Sequence, residues 1–458
     1  MSDSGADRPI GAGDAGGATG PAGAPPATVA ELLGRCLRAA GATRVFGSPD
    51  SGIRGLDGLG HLRVDEPELA ALLADAAGRV GRGPGVALLP GRRLRLSSAP
   101  GARADVVAVT DPSSLPVLVA GWDFGAVHAA VELVLDLDLE APVPAEVEAL
   151  TLDEAAGGQL YTLDPSLASL GMLVLAGPGV VRAGQVAALQ DFAARAGVGV
   201  VNTWGAKGVF RWDSPHHYGT AGLQARDFEL AGFGSVGLVV AVGVDPLEAP
   251  ADRWATGQVL EVEPWQLAAL AHRWPEPPAV PPHPALYRDL AAAVGPLYER
   301  ESTPLTPARA ARDLAEVLPA GGLVAADPGP AGLWVARTLP TTEPGSVVVP
   351  ATVAPGFAAA AGVVASLDGR PSISVVTDPA DGITGALVEQ AGAWGAALTL
   401  AVWGGDGALG SAADHRAAMA AAVASPGTDV IDVPVDLTLT RVLVEVAGEV
   451  IAWHERQA

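Results

Sequence analysis

One cysteine and one lysine stand in a chain of 458 residues, and aromatic side chains make up only 5 % of it. A lone thiol, Cys36, forms no internal disulfide and no thiolate-cluster metal site, which fits a reducing compartment. Its spacing with Leu32, Leu33, Leu37 and Ala40 places it on the packed face of a helix. Basic residues are scarce as well: 28 Lys and Arg face 51 Asp and Glu, for a net charge of −23. That balance repels phosphate backbones and anionic lipid surfaces, so neither nucleic acid nor a membrane is an expected partner. Ser346 to Leu367 lacks charge over a length that could span a bilayer, but Pro350, Pro355, Gly356 and Gly362 divide it into a buried strand, a turn and a helix start. No basic start or hydrophobic centre precedes Val29, so no secretory signal is read and a cytoplasmic location is expected. Residues 1–27, rich in Gly, Ala, Pro and Ser, are expected to be a disordered tail.

What the chain does have is glycine (58), proline (39) and 49 % hydrophobic residues, enough to build a large core. Thr28 can cap a helix that Gly41 stops, and Thr43 to Phe46 then begins a short strand ending at Gly47. The same helix and strand rhythm recurs, with uncharged runs at Ala104 to Val109, Met172 to Ala176, Val236 to Val244, Gly322 to Ala326, Ile373 to Val376 and Leu398 to Trp403. Strands this apolar are covered on both faces, as in parallel sheets. The fold class is therefore α/β, with three successive open, mainly parallel-sheet domains at 28–150, 160–272 and 303–458. Glu140 to Gly158 separates the first pair. A proline-rich linker, 273–302, separates the second, with six prolines among the ten residues Pro275 to Pro284. No short-period repeat is present, which excludes a solenoid.

Val174-Leu-Ala-Gly-Pro-Gly-Val-Val-Arg-Ala-Gly184, Val198 to Phe210, Ser214-Pro-His-His-Tyr-Gly-Thr-Ala-Gly-Leu223 and Gly237 to Asp245 occur in an order and spacing that resembles the central domain of thiamine-diphosphate enzymes of the acetolactate synthase type. Weaker stations flank it. Glu31 to Asp50 and Ala74-Asp-Ala-Ala-Gly-Arg79 with Gly83-Pro-Gly-Val86 resemble a shortened pyrimidine-binding domain. Asp327-Pro-Gly329, Gly356-Phe357, Val375-Val-Thr-Asp378 and Asp429 to Asp436 resemble the diphosphate-binding domain.

The resemblance implies thiamine diphosphate and Mg²⁺ at an interface between two chains, decarboxylating a 2-oxo acid and passing the carbanion to an acceptor. It implies a glutamate that hydrogen-bonds the aminopyrimidine ring. Counting back eight residues from Asp75 lands on Pro67, so Glu66 or Glu68 would serve; otherwise both are solvated acids at a helix start. Thr377-Asp378-Pro379 stands where the family has Gly-Asp-Gly, and Gly404-Gly405-Asp406-Gly407 stands where it has an Asn pair. Gly356, Thr377, Asp378, Gly404 and Gly405 are thus the implied coenzyme-binding residues, with Asp378 and Asp406 as metal ligands and Asp381 as a weaker stand-in. Some relatives hold FAD or ADP on the middle domain, where Gly177 and Gly179 lie between a strand and a helix; a tight turn explains the same glycines. His216 and His217 have no third ligand at recognisable spacing, and Lys207 lies in a turn where a structural role is expected. Arg92, Arg93 and Arg95 form the one dense basic spot, read as an anion site or a solvated sheet edge. An active homodimer or tetramer, and an impaired homologue acting as a structural or regulatory subunit beside an active paralogue, are both open on these residues.

Overall fold

The computed structural model describes residues 28–98, 104–120, 130–143, 147–150, 171–271 and 279–453. Segment 1–27, and parts of the two linkers at 144–146, 151–158 and 273–278, lie outside the described residues. In the first domain the strands are β1 (Arg44–Gly47), β2 (Gly60–Leu62), β3 (Gly85–Leu89), β4 (Arg93–Ser97), β5 (Ala104–Val109) and β6 (Ala130–Leu135), in the sheet order β2-β1-β3-β4-β6-β5. The helix before them, α1 (Val29–Ala39), begins where the Thr28 hydroxyl accepts the Glu31 N–H at 3.3 Å and ends before Gly41, whose φ of 87° reverses the chain. Cys36 is buried on its inner face, and burial pushes its thiol up to about 12.

α2 (Pro67–Val80) crosses this sheet and needs glycine to do so. A Cβ on Gly78 would collide with the Ser97 carbonyl of β4, and one on Gly85 with the Ala74 carbonyl of the helix. β3 and β4 form a hairpin through Pro90, Gly91 and Arg92, so β4 runs antiparallel to both its neighbours, β3 and β6. This corrects the reading of Arg92, Arg93 and Arg95 as a solvated edge or an open anion site. Arg93 and Arg95 pair with Glu132 on β6, Arg95 also binds Asp75 of α2 at 3.1 Å, and Arg92 donates to the Leu137 carbonyl. Two of the three guanidinium groups are thus paired with carboxylates, and the third is held by a backbone carbonyl.

The middle domain holds β7 (Met172–Ala176), β8 (Gly199–Thr203), β9 (His217–Ala221), β10 (Leu238–Val242) and β11 (Gln258–Val262), all parallel in the order β11-β10-β7-β8-β9, with α3 (Val186–Ala196) packed on the sheet. After α4 (Ala285–Tyr298) and α5 (Pro307–Val317), the last domain contributes β12 (Leu323–Ala326), α6 (Pro330–Thr338), β13 (Val347–Val348), α7 (Phe357–Leu367), β14 (Ser372–Val376), α8 (Gly382–Ala391), β15 (Leu398–Trp403), α9 (Ala412–Val423) and β16 (Thr428–Val433). Its sheet is parallel, in the order β13-β12-β14-β15-β16.

α7, Phe-Ala-Ala-Ala-Ala-Gly-Val-Val-Ala-Ser-Leu, has no polar face because it needs none: β14 and β15 cover one side and α2 of the first domain covers another. Among the described residues no helix is long and apolar enough to cross a membrane. Buried polar contacts tie the domains together. Arg79 of α2 pairs with Glu248 of the middle domain, Arg182 of the middle domain donates to the Gly78 and Ser98 carbonyls, and Arg337 of α6 pairs with Asp227.

Candidate coenzyme site

At the carboxyl ends of β12, β14 and β15 an open α/β sheet of this kind receives its ligand. β12 ends at Ala326, and the carboxylate of Asp327, next in the chain, accepts the Ala358 N–H at 2.7 Å and also the Gly356 N–H. Gly356 precedes α7 with φ 75°, and a Cβ there would lie 2.6 Å from Cγ2 of Ile383. Burial pushes the Asp327 carboxyl up to about 6; the two N–H bonds oppose this and the charge of Asp381 adds to it.

β14 ends at Val376, and Thr377 and Asp378 follow, both exposed. Pro379 has no N–H, and the Ala380 N–H goes to Oδ1 of Asp378 at 2.9 Å. Asp381 then caps α8: its carboxylate accepts the Ile383 N–H at 3.0 Å and the Thr384 N–H at 3.2 Å, and takes the Thr384 hydroxyl as well. A helix N-terminus favours an anion. Here each of the two helices at this edge already carries one of the chain's own carboxylates, Asp327 on α7 and Asp381 on α8. After β15, Gly404, Gly405 and exposed Asp406 curve over β16, and Cβ atoms on Gly405 and Gly407 would meet Asp432.

The donor set is therefore wrong for a diphosphate. The loop that should offer N–H groups offers carboxylate oxygens instead, and the further acids at this edge, Asp378, Asp406 and Asp432, add negative charge. Carboxylates alone would suit a hard divalent cation. Among the described residues, no three His, Cys, Asp or Glu side chains gather as a metal cluster.

Glu66 is the residue before α2 and makes no capping bond, Pro67 opens the helix, and Glu68 lies in its first turn; both acids are exposed. The chain just before them touches the last domain, where Nε1 of Trp394 donates to the Arg63 carbonyl at 3.2 Å. Gly177 and Gly179 sit in a tight strand-to-helix turn. Their N–H groups bond the Val242 and Gly243 carbonyls at 2.9 Å, and a Cβ on Gly177 would strike the Gly243 carbonyl, so the donors a nucleotide phosphate would use are engaged. Nδ1 of His216 bonds the Val198 carbonyl at 2.8 Å. Lys207 and His217, by contrast, are buried at the wall of a cavity between the last two domains. The sequence signal for Lys207 was its being the chain's one lysine.

Residues 169–264 match the family model of the thiamine pyrophosphate enzyme central domain. The X-ray structure of a candidate thiamin diphosphate-dependent enzyme from Mycobacterium smegmatis is similar to this chain with a TM-score of 0.64 and 17 % identity, over 89 % of this chain and 99 % of that one. No curated protein matches the chain. The identity is low enough that this likeness speaks to the fold, while the sequence match speaks to the middle domain. The middle domain belongs to the thiamine pyrophosphate enzyme family, and the chain as a whole has the α/β fold of the solved structure it resembles.

Proposed function

We propose that the protein is a thiamine pyrophosphate-enzyme homologue that does not run the decarboxylation and carboligation its resemblance implies, and that it acts in the cytoplasm as a structural or regulatory subunit, as a homodimer or tetramer or beside an active paralogue. One observation carries this reading: the Ala380, Ile383 and Thr384 N–H groups after β14 are bonded to Asp378 and Asp381, where a diphosphate would need them. A fixed internal anion on a helix N-terminus competes with an added one through like-charge repulsion and lost donors. Loss of the coenzyme leaves the fold intact, because the chain's own carboxylates satisfy the exposed backbone groups.

Thermal melting of the full chain tests it. Thiamine diphosphate with Mg²⁺, held at about 100 times a typical Kd, would stabilise a binding protein by about 2.7 kcal/mol. The expected result is no shift, with FAD and ADP run beside it as arms for the middle-domain reading. A shift with the diphosphate followed by CO₂ release from pyruvate overturns it.

A second reading, an acetolactate synthase-like carboligase acting on a 2-oxo acid, draws support from the exposed carboxylates of Asp378 and Asp406 at the ends of the neighbouring strands β14 and β15. Two such groups are hard oxygen donors suited to Mg²⁺. In that case Glu66 or Glu68 would act on the aminopyrimidine ring, and Gly356, Thr377, Gly404 and Gly405 would line the coenzyme. The same melt separates the two readings.

A further inference from the structure

A cavity lies away from the sheet edges just described, where the middle domain, α4 and the last domain meet. Its volume is about 650 Å³, enough for a small organic molecule. Leu286, Leu290 and Val294 of α4 form an apolar wall, with Leu339 and Pro340 beyond the end of α6. Nitrogen atoms supply the polar end. Lys207 is 5 % exposed, and its Nζ makes one long bond, 3.4 Å, to the Arg337 carbonyl. His217 is 7 % exposed, and its Nδ1 is buried with no hydrogen-bond partner. Arg337 is 8 % exposed, and its Nη atoms are committed to Asp227, Gln224 and the Thr220 carbonyl while its Nε has no partner.

Buried donors are normally satisfied, and leaving one unmade costs its full desolvation. Lys207, His217 and Arg337 all line the cavity, and each carries a nitrogen whose bonding is incomplete, so the site calls for an acceptor that the chain does not supply. The acids that line the cavity, Glu299 and Glu316, are paired with Arg312, and these three side chains are at least about a third exposed. That rim carries one more negative than positive charge, which disfavours a polyanion. Between rim and donors the wall is largely apolar, with Leu286, Leu290 and Val294 on α4. A ligand that fits all three regions has one negative charge, two adjacent acceptor oxygens and an apolar body.

We propose that this cavity binds a small monocarboxylate, aliphatic or aromatic, with its carboxylate received by Nζ of Lys207 and Nδ1 of His217. Burial lowers the Lys207 amine to about 7 and the His217 imidazole to about 3. An incoming carboxylate thus meets a neutral imidazole able to donate from Nδ1 and an amine readily charged by the anion itself. The cavity wall comes from two domains and the helix between them, so a bound acid would brace their relative position. This inference stands independently of the reading of the coenzyme site.

The single lysine makes a direct test possible. Growth with lysine labelled at Cε gives the full chain one labelled side-chain resonance. The probes are octanoate and benzoate, with octanol, benzyl alcohol and inorganic phosphate as comparators. Both carboxylates, or one, should move the Lys207 resonance and raise the melting temperature, while the alcohols and phosphate do neither. Lys207→Met, which buries well without its charge, should weaken the melting response at least about tenfold. Ala291→Phe, at an exposed wall position, should block the resonance shift while leaving Lys207 in place. No movement with either carboxylate at about 10 mM, equal movement with the alcohols, or movement with phosphate alone overturns the proposal. Thiamine diphosphate binding in the melt described above would leave it standing.

Discussion

Arg337 of the last domain and Asp227 of the middle domain form a buried ion pair across the domain boundary, with Nη2 to Oδ1 at 2.8 Å and side chains 2 % and 0 % exposed. Asp227 also accepts the Leu223 and Gln224 N–H groups at 2.8 and 2.9 Å, so its charge is held by three donors. Burial pushes the Asp227 carboxyl up, and the guanidinium is the chief opposing influence. The pair ties the two domains together at the edge of the cavity.

Removing one partner of such a pair strands the other. Arg337→Met should destabilise the protein by about 3–5 kcal/mol, because Asp227 keeps its burial and loses its countercharge. Adding Asp227→Asn should recover a large part of that loss, since the amide needs no cation. Urea midpoints of the two variants measure this; a double variant as unstable as Arg337→Met alone would contradict it.

Two glycines make opposite predictions from the same physics. Gly385 sits within α8 with open space where a Cβ would go, so Gly385→Ala should stabilise by about 0.5–1 kcal/mol through helix propensity alone. Gly78 sits within α2 against the backbone of β4, and its carbonyl receives Arg182 from the middle domain. Gly78→Ala should cost about 1–3 kcal/mol despite the same propensity gain, because backbone cannot move aside as a side chain can. Melting temperatures of the two single variants moving in the same direction would refute the assignment.

These glycines also mark how far the sequence could be read. Apolar runs such as Met172–Ala176 and Leu398–Trp403 announce strands covered on both faces, because continuous burial needs no alternation. Gly91 and Arg92 mark a turn, and so short a connection makes β4 antiparallel to β3; what the turn does not show is that Arg95 meets Glu132 and Asp75, which come to it from distant parts of the chain. Asp381 before an apolar helix is a legible cap, yet the resemblance cast it as a metal ligand. Its effect on the phosphate donors depends on the path of the loop after β14. The cavity was invisible for a similar reason: Lys207, His217 and Arg337 are joined only by the packing of two domains.

Lys207 should make stability pH-dependent on the alkaline side. Its amine titrates at about 7 when folded and near 10.5 when unfolded, with burial the main cause and the charge of Arg337 the second. Between these values the unfolded chain holds the extra proton, so stability is full above about pH 10.5 and is lost as pH falls towards 7. The slope approaches about 1.4 kcal/mol per pH unit. Lys207→Met should remove this component, so the difference in unfolding free energy between wild type and variant should shrink as pH rises from 7 to 9. A constant difference would mean that the amine keeps its ordinary charge in the fold.

Asp327 predicts the opposite slope on the acid side. Its carboxyl titrates at about 6 in the fold against an ordinary 3.8, through burial first and the nearby Asp381 charge as a smaller cause. The folded chain therefore holds a proton that the unfolded chain has released between these values. The stabilising contribution is complete below about pH 3.8 and is lost as pH rises through 6. A shift of about two units corresponds to about 3 kcal/mol across that window. Asp327→Asn keeps an oxygen to accept the Gly356 and Ala358 N–H groups without the charge, so it should be more stable than wild type above pH 6, by about 1–3 kcal/mol, with the advantage fading towards pH 4. Chemical denaturation at pH 4.5 and 7.5 measures both ends. An advantage independent of pH, or a variant weaker at pH 7.5 than at 4.5 relative to wild type, would show that Asp327 is an ordinary ionised cap on α7.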